Sequence, residues 1–103
     1  MNRDFQRIYR RGKQAVYNGL VVYVMPTKRG KPRMGITAGG KIGNAVKRNR
    51  AKRVIRAAFS CFEQQIDKSC DIILVARVRT TLIKSTDVFK MMEKAFKELG
   101  IIK

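Results

Sequence analysis

Apolar residues recur at three- and four-residue steps in two stretches of the chain. One stretch runs through Ala51, Val54, Ile55, Ala58, Phe59, Phe62 and Ile66, the other through Val88, Phe89, Met92, Ala95, Phe96 and Leu99. That period places each set on one face of an amphipathic helix. Gly43 and Asn44 read as the start of the first helix, because an Asn side chain accepts a bond from the free amides of a first turn. Ser85 or Thr86 is the expected cap of the second, and Gly100 its stop. A shorter helix is expected over 3–11, with Phe5, Ile8 and Tyr9 on one side and Gly12 as its stop. Phe5 and Tyr9 stand one turn apart and so share a face.

Between the helices the pattern changes. From Gln14 to Met25 the chain is β-branched and aromatic, which predicts one long strand with Gly19 as a site for a bulge. Strict alternation puts Tyr17, Val21 and Tyr23 on one face and Val16, Leu20, Val22 and Val24 on the other. Pro26 to Pro32, with Lys28, Arg29, Gly30 and Lys31 between, reads as a basic turn closing a hairpin whose second arm is Arg33 to Ala38. Asp71 to Val78 is a near-continuous apolar run, expected as a central strand covered on both faces. The order is α-β-β-α-β-α, a two-layer α+β sandwich forming one domain over residues 1–103.

Charge adds a partner to this fold. The chain carries 24 basic and 7 acidic residues, a formal net charge of +17, with no histidine. Such a field draws polyanions and weakens as salt rises. Seven of the sixteen residues from Lys41 to Arg56 are Lys or Arg and none is acidic. At 100° per residue Arg50, Lys52, Arg53 and Arg56 fall off the apolar stripe, and Arg48 projects near its edge. A helix with a core face and a dense cationic remainder is a means of gripping a phosphate backbone. Nucleic acid is the expected partner rather than a membrane, since the basic residues are spread along the chain and no apolar run reaches a bilayer span. No signal-peptide pattern opens the chain, and the cytoplasm is the expected compartment.

Two glycine motifs compete with the simple reading. Gly35 to Lys41 fits the first seven positions of a phosphate-binding P-loop, but Ile42 stands where that motif needs a hydroxyl for magnesium. Gly40-Lys-Ile-Gly43 resembles the Gly-x-x-Gly clamp of KH domains, which sits between two helices, whereas a strand is expected before it here. A flexible lead into the basic helix explains both.

Hydrolysis needs an activated nucleophile, a metal cage, or a paired acid and base. The seven carboxylates form no close ligand motif, and Cys61 and Cys70 are too few and too far apart for a metal site. Two buried free thiols are expected. No catalytic residue and no metal ligand is therefore assigned within this chain.

The run Gly43-Asn-Ala-Val-Lys-Arg-Asn-Arg-Ala-Lys-Arg-Val-Ile-Arg56 resembles the arginine-rich signature of the bacterial ribonuclease P protein subunit. The likeness continues in one colinear order through Arg3–Gly12, Leu20–Tyr23, Arg33–Ile36 and Asp71–Arg77. It implies the rare left-handed β-α-β crossover, where generic chirality would give a right-handed one. It also implies a ribonucleoprotein endonuclease that removes the 5′ leader of precursor tRNA in the cytoplasm. Catalysis then resides in the RNA subunit and its magnesium, with the protein tightening substrate and metal binding.

The resemblance assigns two surfaces. Arg48, Asn49, Arg50, Lys52, Arg53 and Arg56 match the motif that faces the catalytic RNA, where a planar guanidinium spans two phosphate oxygens. Phe5, Tyr9, Tyr23 and Arg77 match a cleft for the precursor-tRNA leader, where rings stack on unpaired bases. Two departures stand out. Only Asn2 and Arg3 precede Asp4 where the family commonly has more basic residues. The family often reads Ala-Arg-Lys where this chain has Ala76-Arg77-Val78, which leaves Arg79 as a candidate for the cleft's cationic edge. The competing function is a structural RNA-binding module, such as a small ribosomal or KH-like protein. A DNA-binding protein is a third class, and no DNA contact is expected.

Overall fold

The computed structural model describes residues 8–28, 30, 32–66 and 68–103. Helix α1 (8–11) leads into strands β1 (Lys13–Tyr17), β2 (Leu20–Pro26) and β3 (Arg33–Thr37). Helix α2 (Ala45–Ser60), strand β4 (Cys70–Ala76) and helix α3 (Ser85–Glu98) complete the chain. The order α-β-β-α-β-α fits, with its first strand folded back on itself. The expected single strand over 14–25 is two antiparallel strands joined by a turn at Asn18 and Gly19, with Tyr17 opposite Leu20. A two-residue turn reverses the parity of the pleat. Tyr17 therefore joins the core side with Leu20, and not the side of Val21 and Tyr23 that unbroken alternation predicts.

The sheet order is β1-β2-β4-β3. β4 is the central strand that its apolar run predicted, with Ile72, Ile73 and Leu74 all fully buried. It lies antiparallel to β2 and parallel to β3. The expected hairpin between β2 and β3 is thus corrected: β4 inserts between them, because its three consecutive buried apolar residues need cover on both edges and both faces. The parallel pair makes β3-α2-β4 a crossover unit.

One face of the sheet holds the main core. Ala15, Leu20, Val22, Val24, Ile72 and Leu74 meet the buried stripe of α2 (Ala51, Ile55, Ala58, Phe59) and that of α3 (Val88, Met92, Ala95, Phe96). Phe62 and Ile66 are buried as their spacing predicted, but beyond the helix end at Ser60. Phe62 stacks on Phe89 at 4.7 Å and meets Phe96 edge to face at 5.6 Å, tying α2 to α3. On the opposite face Val21 and Ile73, with Ile8 of α1, are buried apart from that core.

The ends of α3 divide the expectations. Gly100 closes the helix, its amide bonding Lys97 O at 3.1 Å while Ile101 N bonds Phe96 O at 3.0 Å, the paired bonds of a Schellman motif. Neither Ser85 nor Thr86 caps its start; the flanking residue is Lys84, which makes no side-chain cap bond. The carbonyl of Lys84 accepts from Asp87 N and Val88 N instead, so the first turn closes on backbone alone. Glu93–Lys97 and Lys94–Glu98, at pairing distance by sequence, form no ion pair among the described residues; Glu98 accepts from the Tyr17 hydroxyl at 3.1 Å. Cys70 is buried as expected, but Cys61 is exposed, because α2 ends before it and turns it away from the core. Both thiols are free.

Candidate nucleic-acid interface

The arginine-rich segment is helical because its start is locked. Asn44 has extended backbone, and its side chain accepts from Lys47 N at 3.0 Å. Gly43 sits at φ +136°, where a side chain would be strained, and a Cβ there would meet Lys47 Cδ at 2.8 Å. The chain can therefore turn sharply from β3 through the 3-10 turn Gly40–Ile42 into α2. Gly40 to Gly43 accordingly lies between a strand and a helix, not in the helix-helix setting of a KH clamp.

The capped helix presents the predicted residues as a group. Asn49, Arg50, Arg53 and Arg56 are exposed, and Arg48 and Lys52 are half-buried. Ala51 and Ile55 fill the buried side between them, almost wholly out of solvent. No acidic side chain lies anywhere in α2. Among the described residues the ion pair within 4 Å joins Arg33 to Asp71, remote from this helix in sequence. The cations of α2 thus remain available to a polyanion.

The second predicted surface lies across the sheet. Tyr9 and Tyr23 meet edge to face, with centroids 4.7 Å apart and planes at 75°. Both rings are half-buried. Tyr23 shares its face with Ile73 by register, and Gly35, the partner of Ile73 on β3, adds no side chain there. Farther along this face Arg33 donates two bonds of 3.0 Å to Asp71, whose carboxylate is buried. Phe5, predicted for the same cleft, lies outside the described residues.

Arg77, also predicted for this cleft, lies just past the end of β4. It follows β4 four residues after Ile73, about 13 Å from the Tyr23 register position at 3.3 Å per residue. Its Nη1 approaches Tyr17 O at 3.5 Å. It lines an open depression of about 850 Å³ together with Lys41 and Arg79, where the sheet ends. That cationic corner was not singled out from sequence as a unit. The usable signal was Arg77-Val-Arg-Thr-Thr-Leu-Ile-Lys84, three cations without an acid.

Among the described residues no three His, Cys, Asp or Glu side chains stand close enough to hold a metal ion. Also among these residues, no helix is long and apolar enough to cross a membrane.

The sequence profile of the Ribonuclease P family matches residues 1–100. The chain belongs to the ribonuclease P protein family. It is 31% identical over 102 residues to the ribonuclease P protein component of Shouchella clausii (strain KSM-K16), covering 98% of this chain and 84% of that protein. Its fold matches the ribonuclease P protein of Staphylococcus aureus with a TM-score of 0.88 and 34% identity, covering 100% of this chain and 94% of that one. The protein from Thermotoga maritima matches at 0.80 and 27% identity, over 98% and 93% of the two chains. The chain is thus a protein component of bacterial ribonuclease P, one part of a tRNA-processing ribonuclease that works with an RNA partner in a ribonucleoprotein.

Proposed function

We propose that this ribonuclease P protein binds the catalytic RNA subunit through the arginine-rich face of α2. On the opposite side of the sheet, the surface carrying Tyr9 and Tyr23 receives the 5′ leader of precursor tRNA. The RNA subunit performs the cleavage and holds the magnesium that the reaction requires, in the cytoplasm. The protein contributes electrostatic grip on the RNA and stacking contacts on the leader. The observation that carries this reading is the capped helix itself, with Arg48, Asn49, Arg50, Lys52, Arg53 and Arg56 grouped around a buried stripe and no carboxylate among them. An edge-to-face pair of half-buried rings supports the second surface, since an open ring face can stack on any base.

Salt dependence tests the first surface. If α2 neutralises about six phosphates, the log–log slope of RNA-subunit affinity against salt is about −4 to −5. Arg53→Ala makes that slope shallower by somewhat under about one unit. A flat salt response would overturn the role of α2. The RNA-free protein cleaves no precursor at any magnesium concentration; sustained site-specific cleavage by highly purified protein would refute the division of labour.

A further inference from the structure

We propose that the turn following β4 is a second RNA-binding ledge, apolar at its centre and cationic on both sides, which extends the α2 contact on the RNA subunit. It rests on the role proposed above for α2. Among the described residues four large apolar side chains are exposed, and two of them, Val78 and Leu82, lie in this turn. A third, Val46, is one helical turn before Arg50 on the same side of α2. Leu82 is 75% exposed.

Leu82 is not exposed for want of order. Thr80, buried at 2% exposure, accepts from Arg77 N at 2.9 Å and donates to Gly19 O at 2.6 Å, pinning the turn to the hairpin between β1 and β2. Ile83, which follows Leu82, packs against the main core, and its Cδ1 lies where a Cβ added to Gly19 would meet it. A rigid, buried scaffold therefore holds Leu82 out in water. Each such contact limits the conformations the leucine would lose on binding, so an apolar partner pays little ordering entropy.

The surroundings select the partner. Leu82 borders two depressions, one lined also by Arg79 and one by Arg50 and Lys84, of about 850 and 650 Å³. No residue lining either is acidic. A protein partner would have to bring both an apolar patch and carboxylates on each flank. RNA carries both features in every nucleotide, a flat apolar base or ribose face beside a phosphate. The RNA subunit is favoured over the leader because the second depression is lined by Arg50, Ala51 and Val54 of α2, and α2 lies on the opposite side of the sheet from Tyr9 and Tyr23.

The test uses the full-length protein, an RNA-subunit transcript, and precursor tRNA with and without a leader. Leu82→Ser should weaken RNA-subunit binding roughly tenfold, as expected for losing about half the burial of a leucine side chain. Its salt slope and melting temperature should match those of the parent protein, since the lost contact is uncharged and exposed. The Arg79→Ala/Lys84→Ala double variant should instead make the slope shallower by about one to two units. Parental binding in both variants, alongside weakened binding by Arg53→Ala, overturns the ledge and leaves α2 in place. No effect of Arg53→Ala overturns both. If Leu82→Ser spares the RNA subunit but lowers leader-dependent precursor affinity of the assembled enzyme, the ledge serves the substrate and the assignment to the RNA subunit is overturned.

Discussion

Tyr9 on α1 meets Tyr23 on β2 edge to face, at 4.7 Å between centroids, on the sheet face turned away from α2 and α3. Each ring is half-buried, so the pair is held by the protein and still open to a ligand. Tyr23→Ala should lower precursor-tRNA affinity by about 1–3 kcal/mol, the value of one base-aromatic stack. Affinity for mature tRNA, which lacks a leader, and for the RNA subunit should stay unchanged. Loss of the contact with Tyr9 should also reduce folding stability by about 0.5–1.5 kcal/mol. Melting curves alongside binding to both substrates separate the effects; equal losses for both would rule out a leader cleft here.

Asp71 lies opposite Arg33 in the parallel β3–β4 register and accepts two bonds from its guanidinium. Its side chain is 7% exposed and that of Arg33 48%. Asp71→Ala should therefore destabilise the fold by about 1–3 kcal/mol, less than removing one partner of a fully buried pair. Urea denaturation checks this, and an unchanged midpoint would mean that the pair contributes nothing in solution.

Asn44→Ala removes the bond to Lys47 N that closes the first turn of α2. A loss of about 1 kcal/mol is expected. That corresponds to a fall in melting temperature of about 4–8 °C for a domain of this size. Gly43→Ala should cost more, because it adds backbone strain at φ +136° to a clash with Lys47. A smaller effect at Gly43 than at Asn44 would contradict this account of the helix start.

The two cysteines should separate by reactivity. A thiol reagent should label exposed Cys61 in the native protein and reach Cys70 only on unfolding. Burial, and then the charge of Asp71, push the Cys70 thiol above its ordinary range. A pKa raised in the folded state gives stability that is present below the ordinary thiol pKa and lost as pH rises through the folded value. Burial and the bond to Glu98 raise Tyr17 in the same direction at still higher pH. Stability should accordingly fall above about pH 9, and Cys70→Ala should flatten the first part of that fall. A pH-independent melting temperature across this range would contradict it.

Periodicity in the sequence determined what depends on each element alone. The stripes of α2 and α3, the Asn44 cap, the Gly100 stop and the grouping of Arg50, Arg53 and Arg56 on exposed positions all follow from 3.6-residue geometry and local hydrogen bonding. The arginine-rich motif likewise carried its family and its RNA partner in fourteen consecutive residues. Strand partners were decided only in the tertiary structure, since pairing energy arises between residues far apart in the chain. Nothing in Leu20–Pro26 or Arg33–Thr37 says that Cys70–Ala76 will insert between them. The turn at Asn18 and Gly19 shows the same limit at a smaller scale: it reverses the pleat and sends Tyr17 to the core side while Tyr23 faces Tyr9. Arg77 was legible as a cation, but its place beside Lys41 and Arg79 depended on where β4 ends and how Thr80 ties the next turn to Gly19. A side chain's type is written locally, whereas its neighbours are set by the register and packing of the whole sheet.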